Sequence, residues 1–569
     1  MSDTYGNLLL LRDVGLLIVL ATAWFWPGFG SNIFRRLEVW GSRFSQRRVA
    51  SVLAITISVI VLRLSVLPLV KIPVPENADE FCYLLTADTF NHGRLANPTH
   101  PMWIFFDTFH VNQKPFYVSK YPPAQGAVLA LGQVLGHPWI GVLLSVACLC
   151  GVLTWALRGW VTSRWAFLGG IIAVTQFAAV NYWMESYWGG AVAATGGALV
   201  MGAFPRILAR QRIRDSFLFA AGIAILANSR PYEGGLFSVI FLGVLAWALA
   251  RRKMLLRAEI LAHVVTPIAI TVVLAGAFIG YYNFRTTGHP LLLPYTVNNQ
   301  VYMSVPPFQW QKPYPPRHYL NPQFQAFYGI ARAHWPQEHL SWTRDGIKIA
   351  VLRKLKRLQA FYAPPELLIP IIVAFFYFGR SVKVRFCSVI SVIFILGLLS
   401  ILPFQPHYAA PFTITVYVLV VLGLCSLRRW NFKGRPVGAG LFRALISVHI
   451  LLFIVQILAT AVFLHGVPHR DSQWAVTRDQ IKSKLQSLPG RQLALVQYSP
   501  DHDPNQEWVY NGADIDGSKV VWAREIPGQD MRPLLDYFHE RNVWRVQPDA
   551  ASGPRFEFVR PPVEISSHR

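Results

Sequence analysis

Runs of about twenty apolar residues recur along most of this chain, each long enough to cross the hydrocarbon core of a bilayer as a helix. Twelve can be read, near 7–27, 49–70, 138–157, 165–182, 188–205, 216–228, 234–250, 258–280, 364–379, 386–404, 410–427 and 441–464, of which 216–228 is short for a span. Composition agrees with the pattern. Hydrophobic residues make up 53% of the 569 positions and charged residues only 14%, and mean hydropathy is +0.35. A soluble chain of this length would need more charge to cover its surface. The expected fold class is therefore an all-α polytopic membrane protein of about 11–13 transmembrane helices.

The positions of the charges matter more than the net charge of +24. Lys and Arg cluster between apolar runs, at 35–48, 206–214, 251–257, 380–385 and 428–435. If the runs alternate across the membrane as read, all five clusters fall on one side, which the positive-inside bias makes the cytoplasm. No basic stripe interleaved with aromatics is present, so nucleic acid is not an expected partner; membrane lipids are. Of the five cysteines, Cys148, Cys150, Cys387 and Cys425 lie in or beside apolar runs, leaving Cys82 in a loop, and no disulfide framework or zinc spacing follows. The first run holds Arg12 and Asp13, costly at membrane depth, so it reads as tilted, interfacial or shifted toward 14–28.

Alternation leaves three substantial pieces on the extracytoplasmic side: loops 72–137 and 282–363, and the tail 466–569. The first should carry interfacial helices, one over 122–135. The second ends at 345–363, where Lys348, Arg353, Lys354, Lys356 and Arg357 interleave with Ile349, Val351, Leu352, Leu355 and Leu358, a pattern that fits an amphipathic helix on the membrane surface. About half of all acidic residues lie beyond 465. There, 493–498, 519–523 and 542–546 read as strands and 531–541 as a helix, which predicts a small extracytoplasmic α/β domain at the C-terminus behind a 1–465 membrane domain.

Chemistry-bearing residues gather at the predicted outer face. Asp79 and Glu80 open the first outer loop. Adjacent carboxylates at a membrane surface usually have a cation, metal or proton to handle, but Asp79 as an N-cap, with acids in the first helical turn, would also complement the helix dipole. Glu185 sits among aromatics in the turn 182–188, which suits a sugar site and equally an aromatic belt. Arg230 is a cation on the side that disfavours it; a phosphate anchor explains it, and so does an ion pair with Glu233 or snorkelling to headgroups. Lys120, before Tyr121-Pro122-Pro123, carries the same two readings. His407, at the mouth of a late run, could ligate a metal or bond to phosphate, or be satisfied by neighbours. His92, His100 and His110 show no metal-motif spacing. No glycine-rich phosphate loop, HExxH or GxSxG occurs in its required context.

Taken together these elements resemble the GT-C superfamily of polytopic glycosyltransferases, nearest the protein O-mannosyltransferases and the lipid A aminoarabinose transferase. The resemblance runs over most of 49–430. It rests on the acidic pair Asp79-Glu80, on Lys120-Tyr121-Pro122-Pro123 closing the same loop, on Arg230 capping a short run, and on His407-Tyr408-x-x-Pro411 opening a late one. Tyr121 interrupts the usual Lys-Pro-Pro, Glu185 stands where relatives often have Asp, and the tail is unmatched.

The resemblance implies an inverting glycosyltransferase using a polyprenyl-phosphate-linked sugar at the extracytoplasmic face of a bacterial plasma membrane. Asp79 would be the base, with Glu80 and Glu185 assisting; Arg230, Lys120, His407 and Tyr408 would meet the donor phosphate. A divalent metal is a possible cofactor, with Glu80, Glu185 and His407 the candidate ligands. A multi-pass transporter, with the same groups lining a path, is the alternative, although transporters usually place such groups near the midplane.

Overall fold

In the computed structural model the described residues are 2–254, 256–312, 314–315, 317–329, 344–402, 404–463, 473–551 and 553–562. Part of the 282–363 loop (330–343) and the boundary before the tail (464–472) therefore lie outside them, as do the side chains of Arg12 and Asp13.

All twelve apolar runs are helical. Among the described residues eight helices are long and apolar enough to cross a membrane, from Arg48–Ser65 to Val437–Thr460, and a ninth span is reached if the bent pair Val351–Tyr362 and Pro365–Phe376 counts as one. The runs at 165–182 and 216–228 form helices of 15 and 17 residues, Ser163–Phe177 and Ile213–Ser229. At 1.5 Å per residue the shorter of these spans about 22 Å, less than the hydrocarbon thickness. The run at 364–379 breaks from its predecessor by 107°, because Pro364 and Pro365 cannot continue a helix.

The helices divide into a packed centre and a lipid-facing rim. Pro138–Leu157, Gly190–Arg210 and Pro406–Arg428 are 72%, 78% and 83% buried, against 17% for Ala258–Thr287. Small residues let the central backbones touch. A Cβ on Gly197 would sit 2.0 Å from the Pro411 carbonyl oxygen, so that glycine holds Gly190–Arg210 against the 3₁₀ turn Pro406–Phe412.

The basic loops meet one another at one end: Arg158 donates to the Ser45 carbonyl, Arg428 pairs with Glu38, and Arg252 donates to the Leu208 carbonyl. The opposite end carries loop 72–137, the turn 181–189, the 294–311 segment and the tail. In loop 72–137, helices Ala78–Asn91 and Pro123–Val134 flank a small antiparallel sheet in the order β1 (Asn97–Pro98), β3 (Phe116–Ser119), β2 (Val111–Asn112). The helix Arg344–Tyr362 presents only some of its cations outward as expected: Lys348 and Lys356 are exposed, but Lys354 is not. Lys354 is buried and donates to the carbonyls of Leu399 and Ile401, whereas Leu352 and Leu355 are exposed. The open carbonyls at the end of Val382–Leu399 draw the ammonium inward.

The tail forms a four-stranded sheet in the order β5 (Val520–Arg524), β4 (Gln492–Val496), β6 (Asn542–Gln547), β7 (Arg555–Arg560), with β4 parallel to both neighbours and β7 antiparallel. Three strands and the helix Arg532–Tyr537 fall where the sequence placed them; β7 and the preceding helix Gln473–Ser487 were not anticipated. Strands β4 and β5 are buried throughout, and alternate residues explain how. Ala494, Val496 and Trp522 face a cluster with Trp474, Ile481 and Leu485 of the preceding helix. Leu493, Leu495, Val521 and Ala523 face Cys82, Leu85, Phe105, Phe106 and Tyr117 of loop 72–137. The loop thus supplies one covering layer of the tail's sheet.

Candidate active site

The acidic pair divides its labour. The N-cap of the helix Ala78–Asn91 is Asn77 rather than Asp79, which lies inside the first turn, and Asn77 forms a capping box with Glu80. Glu80 is 1% exposed. Its Oε2 accepts from the backbone N–H groups of Glu76 (2.8 Å) and Asn77 (3.1 Å), and its Oε1 from that of Tyr187 at 2.9 Å. Burial pushes its carboxyl up to about 8, against these three donors, which favour the anion. Glu80 therefore fastens the 181–189 turn to the helix start. Asp79, one residue earlier on the helix and half-buried, lines a cavity of about 740 Å³ instead.

Two neighbours hold Asp79. The Tyr121 hydroxyl donates to its Oδ1 at 2.5 Å, and His110 Nε2 lies 3.4 Å from the same oxygen. Tyr121 is set by stacking on Tyr83, ring centroids 4.8 Å apart, so the residue that interrupts Lys-Pro-Pro reaches the carboxylate. His110 has φ +64°, a left-handed conformation rare for a residue with a side chain. Its Nδ1 lies 2.7 Å from Lys120 Nζ. Burial, and then the Lys120 charge, hold the imidazole down near 3, so it is neutral at physiological pH. Burial also lowers Lys120, to about 8.

Arg230 stands between Ile213–Ser229 and Pro231–Arg251, where Pro231 at the first helical position ends one helix and begins the next. Its guanidinium lies over the Tyr408 ring at 4.6 Å, and both residues line the cavity. Among the described residues no carboxylate comes within 4.0 Å of it, so Glu233, which also lines the cavity, is not its ion-pair partner. Tyr408 is presented by the Pro406–Phe412 turn. That turn is tied down by Tyr362, whose hydroxyl donates to the Pro406 carbonyl at 3.0 Å, and by Arg357 on the Phe404 carbonyl at 2.8 Å. Tyr232, Tyr295 and Trp188 complete an aromatic wall, and Pro504 and Asn505 of the tail reach its rim.

Asp79, Lys120, Arg230 and Tyr408 therefore share one cavity, while Glu80, Glu185 and His407 do not line it. Glu185 pairs with Arg63 at 3.0 Å in a buried contact, and Arg63 also donates to the carbonyls of Val70 and Lys71. That pair pins the 181–189 turn to the first long span. His407 is buried behind Tyr408, with Nδ1 3.0 Å from the Tyr182 hydroxyl. Among the described residues no three His, Cys, Asp or Glu side chains converge as a metal would require. The three metal candidates are engaged with backbone amides, a guanidinium and a phenol, and do not fit that role. His110, noted in the sequence only as lacking metal-motif spacing, lines the cavity because it directly precedes β2, at the open end of the β2–β3 hairpin, where its carbonyl accepts from the Lys120 N–H at 3.1 Å.

No model of a known protein family matches the chain, and no curated protein matches it in sequence. Among solved structures it is similar to the oligosaccharyltransferase of Archaeoglobus fulgidus crystallised with zinc and sulfate, at 11% identity and a TM-score of 0.41 over 79% of this chain and 60% of that one. It is also similar to ArnT from Cupriavidus metallidurans bound to undecaprenyl phosphate, at 12% identity and a TM-score of 0.45 over 86% of this chain and 92% of that one. The same archaeal enzyme in complex with an inhibitory peptide and a dolichol-phosphate gives 11% and 0.39, over 79% and 62%. The chain thus spans about 60% of the length of the oligosaccharyltransferase.

Proposed function

We propose that this protein is an inverting glycosyltransferase that moves a sugar from a polyprenyl-phosphate carrier to an acceptor hydroxyl. The observation that carries this reading is a cavity holding a carboxylate fixed by two side-chain contacts and a guanidinium that, among the described residues, has no carboxylate within 4.0 Å. An acceptor O–H gives its proton to Asp79 as its oxygen forms the bond to the anomeric carbon. The carbon–phosphate oxygen bond breaks on the far side, and its electron pair leaves with the phosphate. Both contacts on Asp79 fall on Oδ1, so Oδ2 takes the proton. Arg230, stacked on Tyr408, meets the leaving charge. The aromatic wall supplies faces for sugar C–H surfaces. The carrier's apolar tail stays in the bilayer beside the exposed helix Ala258–Thr287, whose Tyr282 and Asn283 reach the cavity.

The basic loops gather at the end away from the cavity, and the positive-inside bias makes that end cytoplasmic. The cavity and the tail domain then face the outside of a bacterial inner membrane. Zinc is present in the archaeal oligosaccharyltransferase crystal; no step here is routed through a metal, because the candidate ligands are otherwise bonded.

The test is sugar release from a panel of polyprenyl-phosphate sugars by purified, reconstituted protein, wild type beside Asp79→Asn. General-base help is worth about 10²- to 10⁴-fold, so the variant should lose turnover by that factor and keep donor binding. More than about half of wild-type turnover in Asp79→Asn would remove the assignment.

A further inference from the structure

The 72–137 loop closes on itself at three side chains whose bonding order decides what Lys120 is for. Lys120 Nζ, His110 Nδ1, His110 Nε2 and Asp79 Oδ1 lie in sequence at 2.7 and 3.4 Å. An ammonium can only donate, so His110 Nδ1 is the acceptor and the ring proton sits on Nε2, facing the carboxylate. We propose that Lys120 is committed to His110 rather than to a bound phosphate, and that the pair acts as a positioning relay holding Asp79.

Four observations favour the relay. Lys120 is 4% exposed and His110 sits in the fold with φ +64°, a conformation the chain adopts at a residue carrying a bulky ring. Such conformations persist where the surroundings over-determine them, and they cluster at working sites. The rings of Tyr121 and Tyr295 pack against the ammonium at 5.1 and 5.2 Å, which limits its freedom to swing toward a ligand. Asp79 is the carboxylate on the far side of the imidazole, so the Lys120 charge is felt there through the ring. Arg230, by contrast, lies over the Tyr408 ring with no carboxylate within 4.0 Å among the described residues. The two cations of the cavity thus have different duties: one is spent on the base and one is left for the phosphate.

This inference rests on Asp79 being the base, and the experiment keeps the two apart. Full-length protein is reconstituted with His110→Ala, His110→Gln, Lys120→Met, Arg230→Ala and Asp79→Asn, and undecaprenyl phosphate is the binding probe. Each lost charge-assisted bond is worth about 10- to 100-fold, so Lys120→Met and His110→Ala should cut turnover by that factor. Undecaprenyl phosphate should still bind both within about twofold, whereas Arg230→Ala loses it by about 10-fold or more. A Gln amide can accept from Lys120 and donate toward Asp79, so His110→Gln should restore much of what His110→Ala loses. Both carry the same left-handed backbone, so strain does not separate them.

A ligand-free readout comes from the thermal stabilities of His110→Ala, Lys120→Met and their double variant, which should be clearly non-additive. Additive stabilities, or a Lys120→Met that weakens undecaprenyl phosphate binding as much as Arg230→Ala, would overturn the relay. Turnover retained in Asp79→Asn would overturn the base assignment instead, and the stability coupling separates that failure from failure of the relay.

Discussion

Replacing Glu80 should damage the fold locally, while replacing its neighbour Asp79 should not. The Glu80 carboxylate receives three backbone N–H groups, and the one from Tyr187 is fully buried. In Glu80→Ala the orphaned Tyr187 N–H costs about 1–3 kcal/mol. Loss of the reciprocal cap on Ala78–Asn91 costs about 0.5–2 kcal/mol more, for a total near 2–5 kcal/mol. Glu80→Gln has one acceptor oxygen where two are used, so either the cap or the turn loses its partner and about half that cost remains. The effect is local to the joint between the helix and the 181–189 turn, and hydrogen exchange reads it there. At about 1.4 kcal/mol per tenfold, the Tyr187 amide should exchange at least about 30-fold faster in Glu80→Ala. In Asp79→Asn that exchange should be unchanged although turnover collapses. If Glu80→Gln lost turnover with the 181–189 peptide exchanging as in wild type, the structural assignment of Glu80 would be wrong and the acid would belong to the chemistry.

Further outcomes follow from contacts already described. Breaking the buried Arg63–Glu185 pair with Arg63→Met should cost about 3–5 kcal/mol in thermal unfolding; Arg63→Met with Glu185→Gln should cost clearly less than the two single changes summed, and additivity would count against the pair. Truncation at residue 465 should abolish turnover and make loop 72–137 sensitive to protease, because the tail's sheet shares a core with that loop; a fully active truncation would show the tail to be dispensable. Asp107, which accepts from the Tyr302 hydroxyl at 2.8 Å, is pushed up to about 7 by burial. The folded state then binds more protons than the unfolded one between about 3.8 and 7, so stability should fall as pH rises through that window. The fall should flatten in Asp107→Asn, and an identical pH–stability curve in the variant would refute it.

The membrane class, the helix positions and three of the four tail strands were legible because they are written as local periodicity, a twenty-residue apolar run or a two-residue alternation. What was not legible depends on partners far away in the chain. The spacing Asn77-x-x-Glu80 is a local capping-box signature that would have turned Glu80 back toward the helix start; what no local pattern shows is its third partner, Tyr187, which meets Glu80 across 107 residues. The interleaved cations of Arg344–Tyr362 read as a surface helix until the carbonyls at Leu399 and Ile401 claim Lys354. His110 carries no motif at all, and only the pairing of β2 with β3, which sets it beside Lys120, brings it to Asp79. Spans shorter than the bilayer were read as full crossings because apolarity reports burial, and burial in protein looks the same as burial in lipid.

The sheet of the tail rests on a layer made near the beginning of the chain. The Tyr117 hydroxyl donates to the Asn511 carbonyl across 394 residues, and the Ala513 N–H donates to the Asp88 carboxylate across 425. At about 5–20 residues per second of synthesis, the loop that carries Asp79 waits roughly 20 to 80 seconds for its cover. During that interval Leu85, Phe105 and Phe106 can pack only on one another and on neighbours in their own loop, without Leu493, Leu495, Val521 and Ala523. The loop that carries Asp79 is thus completed among the last parts of the molecule, and a chain that stops early leaves it without that layer.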